Sequence, residues 1–208
     1  MPTAASFWDN LAEKYAAQPI ANPEAYEETL ARTRALLKPS DNVLEVGAGT
    51  GTTALKLAGD VARITSSDIS ANMMDIAKAK AADEGVHNVR FVQATPMDAA
   101  LEEDAPYDAA LAFNLLHLVE DVPAAVRHLH ALLKPGGLFI SKTPCIGQSF
   151  SIWPLVVPIM RAIGKAPYVR FLKVSELEDE FRAAGFEIIE AEAIPRGKPN
   201  HFVVARKV

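Results

Sequence analysis

The sequence predicts one α/β domain: a doubly wound sheet, mostly parallel with an antiparallel last strand, and helices on both faces. Three observations predict it. From Asp41 onward, short apolar strands alternate with amphipathic helices, the pattern of a parallel sheet covered on both sides. The first strand candidate, NVLEV, runs straight into a turn with glycines at positions 47, 49 and 51. The last two strand candidates, FEIIEAEAI and HFVVARK, are joined only by the turn Pro195–Asn200. A parallel return needs a crossover far longer than that, so the last strand must run against the others.

Element by element, SFWDNLAEKYAAQ places Phe7, Trp8, Leu11 and Tyr15 on one helical stripe. Asn22-Pro23 opens a second helix with a cap and a proline in their favoured order, turning Tyr26, Leu30 and Leu37 inward and stopping at Lys38-Pro39. After the first strand, TTALKLA is a helix, ARITSS a strand, and ANMMDIAKAKAADE a helix opened by Ser70 and closed by Gly85. NVRFVQ and YDAALAF follow as strands. A helix from about Asp121 carries Val122, Val126, Leu129 and Leu133 at helical spacing and ends in Lys134-Pro-Gly-Gly137, before the strand GLFISK. The pattern breaks between Thr143 and Val174 and resumes with a helix that Ser175 and Glu178 open as a capping box. The resulting division is an N-terminal helical cap (1–40), a cofactor-binding core (41–143), an apolar insert (144–174) and a terminal helix with a hairpin (175–208).

Bulk composition limits the function. The 208 residues are half apolar and 23% charged, which suits one globular domain with a full core. The formal charge of −5 offers no basic face for counterion release, so no nucleic-acid partner is expected. The single cysteine, Cys145, allows no internal disulfide and fits a reducing compartment. Met1 onward has no basic start and apolar run of a signal peptide, and the chain reads as cytoplasmic. The apolar stretch Ser149–Ile163 contains Pro154, Pro158 and Arg161 and falls short of the ~20 residues of a spanning helix, so no stable membrane insertion is expected.

The glycine turn carries the functional signal. In open α/β sheets ligands bind beyond the C-terminal ends of the strands, and glycines there let a ligand lie against the main chain. Asp68 ends the second strand, where a carboxylate can accept ribose hydroxyls. The spacing departs from a dinucleotide fingerprint, whose third glycine would fall at Thr52 rather than Gly51. Glu45, at the mouth of the turn, would repel a pyrophosphate and attract an ammonium or a sulfonium. The ligand expected here is therefore a nucleoside carrying positive charge, and S-adenosylmethionine has that chemistry.

The segments VLEVGAGTG, SSDIS with Asp68, YDAALAFNLLHLVED and LLKPGGLFISKTP resemble the class I S-adenosylmethionine-dependent methyltransferases, which have a Rossmann-like fold. The similarity is greatest to the branch that includes the ubiquinone and menaquinone biosynthesis methyltransferases, and it spans residues 41–143. The resemblance implies that Glu45 and the turn Gly47, Ala48, Gly49 and Gly51 hold the methionine part of the cofactor. It implies that Asp68 takes the ribose hydroxyls, that Ile69 and Met73 flank the adenine, and that Asn114 lines the methyl-donor side. Tyr15, in the N-terminal helices, would reach the methionine end or the acceptor, with plain helix packing as the equal alternative for Tyr15 and Tyr26. One departure stands out: Thr95 occupies the position where the family has an acid for the adenine amino group, and Pro96 has no N–H to give. Thr95, Met97 and Asp98 become the substitute contacts.

Other residues have duller readings beside the sharp ones. His117 follows Asn114 by three residues and is the candidate general base, against a histidine that simply packs. His128 and His130 fall on the solvated side of a helix, His201 reads as structural, Cys145 as an apolar filler, and Asp121 as a cap. The His and Cys spacings fit no metal site. A sulfonium is already an activated methyl donor, so a missing catalytic dyad does not count against methyl transfer. The insert, with Phe150, Ile152, Trp153, Leu155, Val156, Ile159, Met160, Ile163, Tyr168 and Phe171, is expected to form a lid over a small, largely apolar acceptor. Arg161, Lys165, Arg170 and Lys173 in it could meet an acidic group of the acceptor, a membrane surface or solvent. Two rivals remain at this level: a nicotinamide-dependent oxidoreductase, and a protein that binds S-adenosylmethionine without turnover. The acceptor, the atom methylated and the oligomeric state are not fixed by the sequence.

Overall fold

The computed structural model describes residues 3–148, 156–157, 160–161 and 165–208. Of the insert's apolar residues, Phe150, Ile152, Trp153, Leu155, Ile159 and Ile163 lie outside the described residues, as does most of the stretch Ser149–Ile163. Two helices, α1 (Ala4–Ala16) and α2 (Pro23–Leu36), precede the alternating part. That part runs β1 (Asn42–Val46), α3 (Thr52–Leu57), β2 (Arg63–Asp68), α4 (Ala71–Asp83), β3 (Val89–Gln93), β4 (Tyr107–Phe113), α5 (Val122–Leu132) and β5 (Leu133–Pro144). Helix α6 (Val174–Ala183) and the strands β6 (Phe186–Ala193) and β7 (Asn200–Lys207) close the chain.

The seven strands lie in the order β3-β2-β1-β4-β5-β7-β6. β1 pairs in parallel with β2 on one side and β4 on the other, so the strand order reverses between β1 and β4. β7 runs antiparallel to both β5 and β6, from Leu138 opposite Arg206 to Pro144 opposite Asn200, as the short turn requires. Every residue of β1 is buried, as a central strand covered on both faces demands, whereas β6 at the edge alternates buried or half-buried with exposed positions. Two apolar layers result. On one face Val122, Val126 and Leu129 of α5 and Phe181 of α6 pack on β4 and β5, with Phe139 and Phe181 ring centroids 4.9 Å apart. On the other, Leu30 of α2 and Leu57 of α3 pack on Val43, Leu111, Ile140 and Phe202.

The helix starts are set locally. Asn22 accepts the Ala25 amide at 3.0 Å, Ser70 the Met73 amide at 3.1 Å, and Asp121 the Ala124 amide at 2.9 Å. Two expectations need correction. The box opening α6 is not Ser175 with Glu178: the cap lies two residues earlier, at Lys173, and Glu176 accepts the Lys173 amide at 3.1 Å. Glu178 instead bonds Arg182 and, at 3.0 Å, His201. His128 and His130 are half-buried rather than solvated, and His130 packs edge-on against Phe186 at 4.9 Å. Of the stripe on α1, Phe7, Trp8 and Tyr15 line a cavity, and Ala12 is the helix's one buried residue.

Candidate active site

The cavity, about 940 Å³, lies beyond the C-terminal ends of β1, β2 and β4, at the switch in strand order. Backbone geometry makes its floor. Gly47, Gly49 and Gly51 have φ of +67°, +55° and +73°, values that side-chain-bearing residues rarely adopt. Gly49 also lies beneath the Tyr15 ring, whose edge stands 3.5 Å from where a Cβ would be. Lys80 of α4, which also lines the cavity, fastens the turn, its Nζ donating to the Thr50 carbonyl (3.2 Å) and the hydroxyls of Thr50 (2.8 Å) and Thr52 (3.2 Å).

Two carboxyl groups face this floor. Glu45 is 2% exposed, lines the cavity, and has the Ser66 hydroxyl 3.3 Å from Oε2. No cation among the described residues lies within ion-pair distance of it. Burial pushes its carboxyl up to about 8, a shift that the Ser66 hydroxyl and the Ala54 amide only partly oppose. Asp68 accepts the Gly49 amide on Oδ2 (2.9 Å) and the Ser70 amide on Oδ1 (3.0 Å), which fixes its orientation and leaves further lone pairs for hydroxyl donors. Burial raises its pKa as well, against those two amides.

The structure gathers most of the sequence candidates around this cavity. Tyr15, Glu45, Gly47, Ala48 and Gly49 line it, as do Asp68, Ile69 and Met73. Thr95, Met97 and Asn114 complete that set. Asn114 is the one described non-glycine residue with positive φ, +54°, and its amide donates to the Lys142 carbonyl at 2.8 Å.

Three candidates stand elsewhere. Gly51 faces α4: a Cβ there would come within 2.8 Å of the Ala77 Cβ. Asp98 is off the cavity wall because its Oδ2 accepts both the amide and the hydroxyl of Thr95, the latter at 2.7 Å, closing a turn on itself. His117 is also off the wall. Its Nδ1 is buried without a partner among the described residues, and burial lowers its pKa to about 4, which makes it a poor proton acceptor.

Sequence reasoning missed Lys142, treated only as the end of a strand pattern. Its side chain turns into the cavity and is 7% exposed. Of the four insert cations, three face protein acids: Arg161 pairs with Glu120 at 2.8 Å, Lys173 with Glu176 at 3.9 Å and Arg170 with Glu180 at 4.0 Å.

A glycine turn with buried acids at the switch point defines a nucleoside-binding domain of the Rossmann-like class, built for a ligand with a cationic part. The match to known proteins is specific: this chain belongs to the methyltransferase domain family, which matches residues 17–191. Members of that family use S-adenosylmethionine. The ubiquinone biosynthesis O-methyltransferase of Xanthomonas axonopodis pv. citri (strain 306) is 30% identical over 172 residues, 80% of this chain and 70% of that protein. The tRNA 5-carboxymethoxyuridine methyltransferase of Escherichia coli (strain K12) is 35% identical over 97 residues, covering 46% of this chain and 37% of that protein. Among solved structures, the CcbJ methyltransferase of Streptomyces caelestis superposes with a TM-score of 0.78 over all of both chains at 23% identity. The family assignment removes the nicotinamide-dependent oxidoreductase from consideration. No described helix is long and apolar enough to cross a membrane, and the described residues hold no cluster that could bind a metal.

Proposed function

We propose that this protein transfers the methyl group of S-adenosylmethionine to a small, largely apolar acceptor, by in-line displacement. The buried, cavity-facing Glu45 without a counter-cation carries this reading, because a carboxylate there is stabilised only when a ligand brings positive charge. In this reading Glu45 and the turn Gly47–Gly49 hold the α-ammonium end of the cofactor, and Asp68 takes the ribose hydroxyls. Ile69 and Met73 flank the adenine, with Thr95 and Met97 at its edge. Asn114 and Tyr15 border the methyl side.

The cofactor supplies an activated methyl on a sulfonium. The protein's part is to align the acceptor's lone pair behind that methyl and to exclude water. Phe113, Leu115, Tyr26 and Tyr168 line the same cavity and give the acceptor end its apolar walls. With His117 off the wall, no general base is assigned. The quinone-biosynthesis relatives favour a small acceptor, and the formal charge of −5 agrees. The tRNA-modifying relative matches less than half of this chain.

Isothermal titration with S-adenosylhomocysteine, which keeps the α-ammonium, tests the assignment. Below pH 8 the free protein holds Glu45 mostly protonated, so binding must release a proton. Affinity should rise by up to about tenfold per pH unit toward pH 8 and level off above it. Titrations in two buffers of different ionisation enthalpy should count close to one proton released. Glu45→Gln should abolish that release, and Asp68→Ala should weaken binding by ~1–3 kcal/mol. Wild-type affinity in both variants would refute the placement.

A further inference from the structure

We infer that Lys142 is the acceptor-binding cation of this site, its ammonium holding an oxyanion of the acceptor next to Phe113 and Asn114. The inference rests on the methyltransferase reading above and narrows the acceptor to one that binds as an anion. Lys142 stands near the end of β5, in register with Phe113 on β4 and Phe202 on β7, and its carbonyl receives the Asn114 amide at 2.8 Å. It is therefore tied to the strand end that borders the methyl side. Its Nζ donates to the Ala25 carbonyl at 3.1 Å and the Thr29 hydroxyl at 2.8 Å, both on α2. An ammonium has three N–H donors, and the third has no partner among the described residues. No carboxylate among them lies within 4 Å of it, whereas three of the four insert cations have one.

The surroundings oppose a lone positive charge in two ways. The group is buried on the strand position paired with Phe113, and desolvation lowers its pKa, with only Glu28 acting the other way. It also lies within two turns of the N-terminus of α2, the positive end of that helix dipole, where a cation is disfavoured. An anion entering the cavity relieves both. If Lys142 served only to anchor α2 to the sheet, a neutral donor would do so without this cost.

The oxyanion could be the reacting oxygen itself, as a phenolate, or a spectator carboxylate, and the probes separate them. Wild-type protein and Lys142→Met, each saturated with S-adenosylhomocysteine, are titrated with 4-nitrophenolate, benzoate and the neutral 4-nitroanisole at pH 8. In the wild type at least one anion should bind at least tenfold more tightly than the neutral probe. Phenolate preference points to the reacting oxygen and benzoate preference to a spectator. In Lys142→Met the preference should vanish, with S-adenosylhomocysteine affinity within about twofold of wild type and an unchanged or higher melting temperature, because methionine keeps the stem and removes an uncompensated charge. Wild-type protein that takes S-adenosylhomocysteine but binds anions no better than 4-nitroanisole, or a variant that keeps the preference, overturns the inference. So does a variant whose only defect is a lower melting temperature. Failure of the wild type to bind S-adenosylhomocysteine would instead strike the reading beneath it.

Discussion

Gly51 shows what a single position in a motif can and cannot say. The alternate glycines announced a tight turn with a ligand against it, and the positive φ at all three bears out the turn. The spacing could not tell which glycine serves the ligand, because that depends on what packs opposite. Gly51 faces Ala77 and Phe91, where a Cβ would meet atoms at 2.8 and 3.0 Å. Gly49 faces the cavity, with only the Tyr15 ring at 3.5 Å. Gly51→Ala should therefore cost about 2–5 kcal/mol in urea unfolding, from left-handed strain plus overpacking against α4. Gly49→Ala should cost only the backbone part, about 1–2 kcal/mol, yet lose more S-adenosylhomocysteine affinity, since its methyl enters the cavity floor. Equal stability losses in the two variants would show that the opposing helix does not matter. Lys142 was illegible for a similar reason: strand periodicity says which face a residue takes but not that a cavity opens over it.

At the scale of elements, the strands and helices of the alternating part were readable because each buries a periodic apolar face, and β4 occupies the YDAALAF segment itself. Helix α1 was legible as a helix, but whether Tyr15 reaches the site or simply packs was left open. Phe7, Trp8 and Leu11 are half-buried and Tyr15 is exposed because the helix roofs a cavity, and amphipathicity cannot distinguish a core from a cavity wall. What fastens α1 is polar. Asp9 Oδ1 accepts the Ser70 hydroxyl at 2.6 Å and the Asn72 amide at 3.2 Å, while the Asn72 side chain donates back to the Asp9 carbonyl at 3.1 Å. The Ser70 bond, foremost, holds the Asp9 carboxyl below its usual range. Asp9→Ala should raise amide exchange and protease cutting within residues 4–16 and speed S-adenosylhomocysteine release. Helix α4 should stay intact, since the Ser70 hydroxyl still caps Met73. Unchanged protection of α1 would mean that its apolar contacts alone hold it.

For the whole molecule, the two buried groups with the largest opposite shifts set a pH signature that the sequence could not reveal, because burial arises only in the assembled fold. Glu45, raised from 4.5 to about 8, binds more protons folded than unfolded across that window, so its contribution to stability falls as pH rises. His117, lowered from 6.5 to about 4, binds fewer protons folded, so its contribution is present above 6.5 and is lost as pH falls toward 4. Between 4.5 and 6.5 the two slopes oppose each other. Between 6.5 and 8 His117 is neutral in both states and Glu45 remains. One proton corresponds to about 1.4 kcal/mol per pH unit, so the ligand-free protein should lose up to about 2 kcal/mol from pH 6.5 to 8. In a protein of this size that is about 4–8 °C in melting temperature. Subtracting the Glu45→Gln curve removes the other titrating groups, among them Asp68, Lys80 and Lys142. Saturating S-adenosylhomocysteine should flatten the trend, because Glu45 is then ionised in the complex as it is in the unfolded chain, and the affinity gained as pH rises offsets the stability lost. A ligand-free melting curve that is flat from pH 6.5 to 8, and matches Glu45→Gln, would mean that the carboxyl meets water or a cation after all, and the electrostatic basis of the site would fall with it.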